Sequence, residues 1–125
     1  MRKNLLFPFI VAIAAIVVVA LFVVLVKLSH PARPDSGLTF FYSTSCPHCA
    51  NVEDFFVAND VEKNISINKV EINGSTENAK LFYDTNIKCG ITNQKEMGVP
   101  LLWDGTTCVN GDEPIINYFK NKLGL

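Results

Sequence analysis

Four cysteines in 125 residues are too few for a small domain held together by disulfides, so each has to be read from its own spacing. Basic residues are also scarce. Eleven Lys and Arg stand against twelve Asp and Glu, and nowhere do they gather into the basic patch that nucleic-acid binding requires. There is no repeat period and no collagen-like or low-complexity tract, and the length excludes a multidomain enzyme. Acidic residues are missing altogether from residues 1–27, which hold Arg2, Lys3 and Lys27. Residues 28–125 carry the other eight bases and all twelve acids. Charge therefore divides the chain into a basic N-terminal piece and a mildly acidic remainder.

Hydropathy divides it at the same place. Residues 5–26 contain no charge, and only Pro8 interrupts the apolar set. A helix of that length spans roughly 33 Å, which matches a bilayer core of about 30 Å. A cleavable signal peptide would have a shorter apolar region and a small-residue cleavage site after it. The run therefore reads as one uncleaved transmembrane helix within residues 1–27. Arg2, Lys3 and the α-amino group before it, against Lys27 and Arg33 after it, favour by a small margin a cytoplasmic N-terminus with the domain extracytoplasmic. Residues 28–37, with two prolines, Ser and Gly, read as a short linker.

From residue 38 the pattern alternates between strand and helix. Residues 38–43 (LTFFYS) form an aromatic-rich apolar run, expected as a strand buried on both faces. Pro47 suits the first turn of a helix whose apolar residues Val52, Phe55 and Phe56 carry it to about Asn59. Residues 68–72 alternate, with Val70 and Ile72 inward and Lys69 and Glu71 outward, although Ile65 and Ile67 are out of phase with that pair. Ser75 or Thr76 caps a helix to about Ile87. Residues 98–103 and 106–109 flank Asp104-Gly105, a two-residue hairpin signal. Asp112 is expected to cap a last helix with Ile115, Ile116, Phe119 and Leu123 on one stripe. The predicted order is βαβαββα: an α/β fold with a mixed four-stranded sheet and helices on both faces.

The chemistry is concentrated at Cys46-Pro47-His48-Cys49. Two cysteines separated by two residues, where a strand turns into a helix, form a dithiol site. Unsatisfied N–H groups and the helix dipole favour a thiolate at Cys46, the candidate nucleophile. Pro47 fixes the backbone without costing the helix a donor. His48, when protonated, adds positive charge, and Cys49 one turn inside is the candidate resolving thiol. The same spacing also serves Cu or Zn sites, so a metal-binding module using these cysteines with His48 is the alternative. Pro47 argues against it, because ligands must converge. Val99-Pro100, at the start of a predicted strand, suggests a cis peptide against the cysteines or an ordinary trans proline. Cys89 and Cys108 bracket the loop carrying Pro100. Bonded, they would close a loop of about 20 residues, contributing roughly 3 kcal/mol, and unbonded they would act as small buried hydrophobes.

The segments FYSTSCPHC, MGVP and WDG…NGDEPIINYFKNKL together resemble the thioredoxin superfamily, with the size and element order of glutaredoxins, over residues 38–125. The Cys-Pro-His-Cys tetrad and the Val before the proline are similar to those of periplasmic disulfide oxidants of the DsbA type. That resemblance implies a thioredoxin-like fold and an enzyme performing thiol–disulfide exchange with protein thiols, whose only redox group is the Cys46–Cys49 disulfide. It further implies His48 as a tuner of the redox potential, Val99 and Pro100 as the substrate contact, and a membrane or soluble redox partner. One departure stands out. The family's buried acid, six residues before the first cysteine, is Phe40 here. Glu53, one turn after Cys49 on the same helix face, is the candidate substitute proton acceptor.

Overall fold

Phe40 and Phe41 are neighbours in sequence, and both are fully buried, but on opposite faces of one sheet. Side chains alternate across a strand, so burying two consecutive phenylalanines requires cover on both sides. The computed structural model describes residues 6–28 and 37–125, with the side chains of 9–23 and 37–125. The chain divides into two units, residues 1–33 and 34–125.

The first unit contains helix α1, Leu6–Leu28, 23 residues long, whose described side chains at 9–23 are exposed and apolar. Among the described residues no helix is long and apolar enough to cross a membrane. The span expected at 5–26 extends beyond the described side chains at both ends. Most of the linker expected at 28–37 lies outside the described residues.

In the second unit the elements are β1 (Thr39–Tyr42), α2 (Pro47–Ala58), α3 (Val61–Asn64), β2 (Asn68–Glu71), α4 (Thr76–Lys88), β3 (Leu101–Trp103), β4 (Cys108–Asn110) and α5 (Asp112–Leu123). A short 3-10 turn, Gln94–Glu96, lies between α4 and β3. The sheet order is β2-β1-β3-β4. β1 pairs in parallel with β2 (Phe41 opposite Val70) and antiparallel with β3 (Phe40 opposite Leu102), and β3 pairs antiparallel with β4. This is the mixed four-stranded sheet with helices on both faces. On one face Phe40 and Leu102 pack with Val52 and Phe56 of α2, Val61 of α3, and Ile115 and Phe119 of α5. Phe56 meets Phe40 and Phe119 edge-on, with ring centroids 5.3 and 4.9 Å apart. On the other face Phe41, Val70 and Leu101 pack with Leu81 and Phe82 of α4.

Several local expectations change. Helix α3 was not anticipated. Asp60, in the left-handed region at φ 50°, breaks the chain out of α2, and Val61 then drives a single extra turn into the core. The phase conflict around β2 resolves because Ile65 and Ile67 pack on the α2 face while Val70 and Ile72 pack on the α4 face. Lys69 is accordingly not simply solvated but pairs with Glu53 and Glu62 at 2.8 and 3.4 Å. The hairpin loop is Asp104–Thr107 rather than Asp104-Gly105 alone. The Asp104 carboxylate accepts from the Thr106 and Thr107 N–H groups (2.9 and 2.7 Å), delaying strand pairing until Cys108. Asp112 does not cap α5: Gly111 is the N-cap, at a φ of 93° suited to glycine, and Asp112 is the first helical residue.

Candidate active site

Cys46 ends the β1–α2 turn in an extended conformation, φ −98° and ψ 113°, and is itself the N-cap of α2. Its N–H bonds the Ser43 carbonyl at 3.1 Å, and its carbonyl receives the Ala50 N–H at 3.2 Å. Pro47 at the first helical position leaves no wasted donor, so the helix opens on the N–H of Cys49, which donates to Cys46 Sγ at 3.3 Å. Sulfur thus takes the capping role that Ser, Thr, Asp or Asn oxygens usually fill. As a thiol, Cys46 Sγ donates to the Val99 carbonyl at 3.5 Å. The peptide that follows, Val99–Pro100, is cis.

The two cysteines differ sharply in environment. Cys46 is half-buried, whereas Cys49 is completely enclosed. Burial pushes the Cys49 thiol up to about 12, reinforced by its hydrogen bond with Cys46 and by the charges of Cys46 and Glu53, and opposed by the Ser43 backbone. Cys49 therefore remains protonated at neutral pH.

His48 projects outward, its side chain 71% exposed, and its Nδ1 lies 2.9 Å from Asp112 Oδ2 at the start of α5. Asn51 Nδ2 donates to the same oxygen at 2.7 Å. These bonds hold the Asp112 carboxyl down to about 2, Asn51 contributing first and His48 second. On the other side of the turn, Ser43 Oγ meets Ser45 Oγ at 3.0 Å and accepts from Asn73 Nδ2 at 3.0 Å, fixing the approach to Cys46. Among the described residues no group of three or more His, Cys, Asp or Glu side chains is placed to hold a metal ion.

No protein-family model matches the sequence, and no curated protein does. Solved structures do. The reduced Escherichia coli glutaredoxin superposes with a TM-score of 0.51 at 18% identity, covering 71% of this chain and 99% of that one. The Archaeoglobus fulgidus glutaredoxin gives 0.50 at 14% identity, covering 71% and 95%. The chain has a glutaredoxin-like fold.

Within that fold the structure gathers Cys46, Pro47, His48, Cys49, Val99 and Pro100 at one end of the sheet. Glu53 stands slightly apart, half-buried, its carboxylate 2.8 Å from Lys69 Nζ. Part-burial disfavours the Lys69 ammonium, but hydrogen bonds and charge from Glu53 and Glu62 outweigh it and raise the amine above its ordinary range. Phe40, six residues before Cys46, is sealed in the core. Cys89, at the C-terminal end of α4, and Cys108, opening β4, are joined by a disulfide with Cα atoms 5.9 Å apart. Asp112, Asn51, Ser43 and Asn73 escaped the sequence reading. The bonds that bring them to the site, His48–Asp112, Asn51–Asp112 and Ser43–Asn73, span 64, 61 and 30 residues, and no local pattern marks them.

Proposed function

We propose that residues 38–125 form a thiol–disulfide oxidoreductase acting on protein thiols, tethered to a bilayer by residues 5–26 on the extracytoplasmic side. One observation carries the reading. A half-exposed sulfur caps a helix start while its partner, one turn further in, is fully buried. That asymmetry divides the labour of disulfide exchange. In the oxidising direction, a substrate thiolate attacks Cys46 Sγ, the Cys46–Cys49 bond breaks, and the electron pair leaves on Cys49 as a thiolate that takes up a proton. A second substrate thiolate then attacks the substrate sulfur of the mixed disulfide, and Cys46 leaves as a thiolate received by the Cys49 N–H. Two electrons pass from the substrate dithiol to the domain. Reduction of a substrate disulfide runs the same bonds in reverse, starting with attack by Cys46.

Burial keeps Cys49 from reacting until the mixed disulfide has formed, and Glu53 is the carboxylate whose charge reaches it. Half-buried Val99, whose carbonyl lies beside Cys46 Sγ, is the place for the substrate backbone. Support for the anchor is the uncharged run at 5–26 with its flanking bases, and the bonded Cys89–Cys108 pair fits an oxidising compartment.

Equilibrating the full chain in detergent with glutathione buffers, and counting thiols by mass after alkylation, tests this reading. A reversible two-electron transition confined to Cys46 and Cys49 is expected. Stoichiometric Cu or Zn bound through those cysteines, without such a transition, would favour the metal-binding alternative.

A further inference from the structure

The histidine of the Cys-Pro-His-Cys turn has a carboxylate partner. His48 Nδ1 lies 2.9 Å from Asp112 Oδ2, so Nδ1–H is the donor and the carboxylate the acceptor. Asn51 Nδ2, one turn along α2, holds that same oxygen at 2.7 Å. Asp112 is the first residue of α5, and its carboxylate reaches across to α2 to make these contacts. Its backbone position is fixed in turn, because the Gly111 N–H bonds the Pro100 carbonyl at 3.0 Å, on the loop that also receives Cys46 Sγ. The start of α5 is thereby tied both to α2 and to the loop carrying Pro100.

We infer that Asp112 is a positioning residue that acts through His48 to moderate the oxidising power of the Cys46–Cys49 pair. The inference rests on the thiol–disulfide reading of the site. An imidazolium alone would stabilise the Cys46 thiolate and so the reduced form. Paired with Asp112 it reaches the sulfur as half of an ion pair, whose field falls off faster than that of a single charge. Removing the carboxylate takes away one full negative charge 2.9 Å from the His48 ring. The local balance at Cys46 therefore becomes more positive. Glu113, beside Asp112 in the same first turn, is the other acidic group at this helix start, and it stays in place in the variants below.

The test is the equilibrium of full-length wild type, Asp112→Asn and Asp112→Glu with glutathione buffers in detergent. Asp112→Asn is expected to shift the constant roughly two- to fivefold toward the reduced domain, the scale of an exposed ion pair, and Asp112→Glu to restore it. Alkylation of Cys46 by iodoacetamide at pH 5, in a Cys49→Ser background, should speed up by a similar factor in Asp112→Asn, a readout that loss of a helix-end contact alone would not move. His48→Ala should lower the constant in both backgrounds, because each loses the charge through which Asp112 acts. An unchanged or lowered constant in Asp112→Asn, or a constant that His48→Ala leaves unchanged, would overturn the role given to Asp112 while the oxidoreductase reading stands. A wild type with no reversible Cys46–Cys49 transition would remove both.

Discussion

Glu53 Oε1 lies 2.8 Å from Lys69 Nζ, across the gap between α2 and β2, with Glu62 sharing the same ammonium at 3.4 Å. The pair occupies the flank of the sheet face where Phe40, and not an acid, fills the core. An ion pair at this place supplies what a buried acid would: a carboxylate whose charge reaches Cys49, positioned by a partner.

Glu53→Gln should therefore slow the half-reaction in which Cys49 must lose its proton and attack the mixed disulfide. The expected loss is about tenfold or more at neutral pH, the lower end of what a positioned base contributes. Stability should change by less than about 1 kcal/mol, because Lys69 retains Glu62 and the pair is only part-buried. Stopped-flow thiol release separates the two half-reactions, and an unaltered second phase would exclude Glu53 as the acceptor.

The hairpin loop depends on one side chain. Asp104 accepts from two backbone N–H groups and from both threonine hydroxyls at 106 and 107. The Thr107 N–H, followed by the Thr106 and Thr107 groups, lowers its carboxyl from 3.8 to about 2. With the folded value below the unfolded one, this stabilisation is fully present above about pH 4 and lost as pH falls toward 2. Asp104→Ala should cost about 1–2 kcal/mol at pH 7 and flatten the fall in stability between pH 4 and 2. A residual slope should persist from Asp112, which titrates in the same window. Urea denaturation across that range reads both effects.

Replacing both Cys89 and Cys108 by Ser should lower stability by about 2–3 kcal/mol without abolishing exchange at Cys46, since the bridge ties α4 to β4 rather than entering the dithiol chemistry. Chemical denaturation under non-reducing conditions measures the first. Turnover of a peptide disulfide measures the second. Loss of turnover in a variant that still folds cooperatively would give this pair a redox role of its own.

Element order, sheet type and the Cys-Pro-His-Cys turn were legible in the sequence because each rests on short-range physics. LTFFYS can only be buried on both faces, and Pro47 can only open a helix. The alternation in β2 holds, with Val70 buried and Lys69 exposed, but the carboxylates of Glu53 and Glu62 that meet Lys69 come from α2 and α3 and leave no mark in the strand pattern. Asp104-Gly105 was read from its glycine, but the aspartate's four acceptor contacts decided the loop. Asp112 was read as a cap from its position, and its contact with His48, 64 residues away, exists only once α5 packs on α2. Residues that line the site through tertiary contact carry no period and no spacing.

The measurement closest to the central claim is trapping of mixed disulfides in the full-length protein, comparing Cys49→Ala with Cys46→Ala. The half-exposed helix-capping sulfur of Cys46 and the sealed Cys49 predict that Cys49→Ala accumulates covalent adducts through Cys46, visible by mass spectrometry and released by reductant. Cys46→Ala should form none and show no exchange. Adducts that form equally well through Cys49 in the Cys46→Ala protein, or exchange that survives there, would contradict the account.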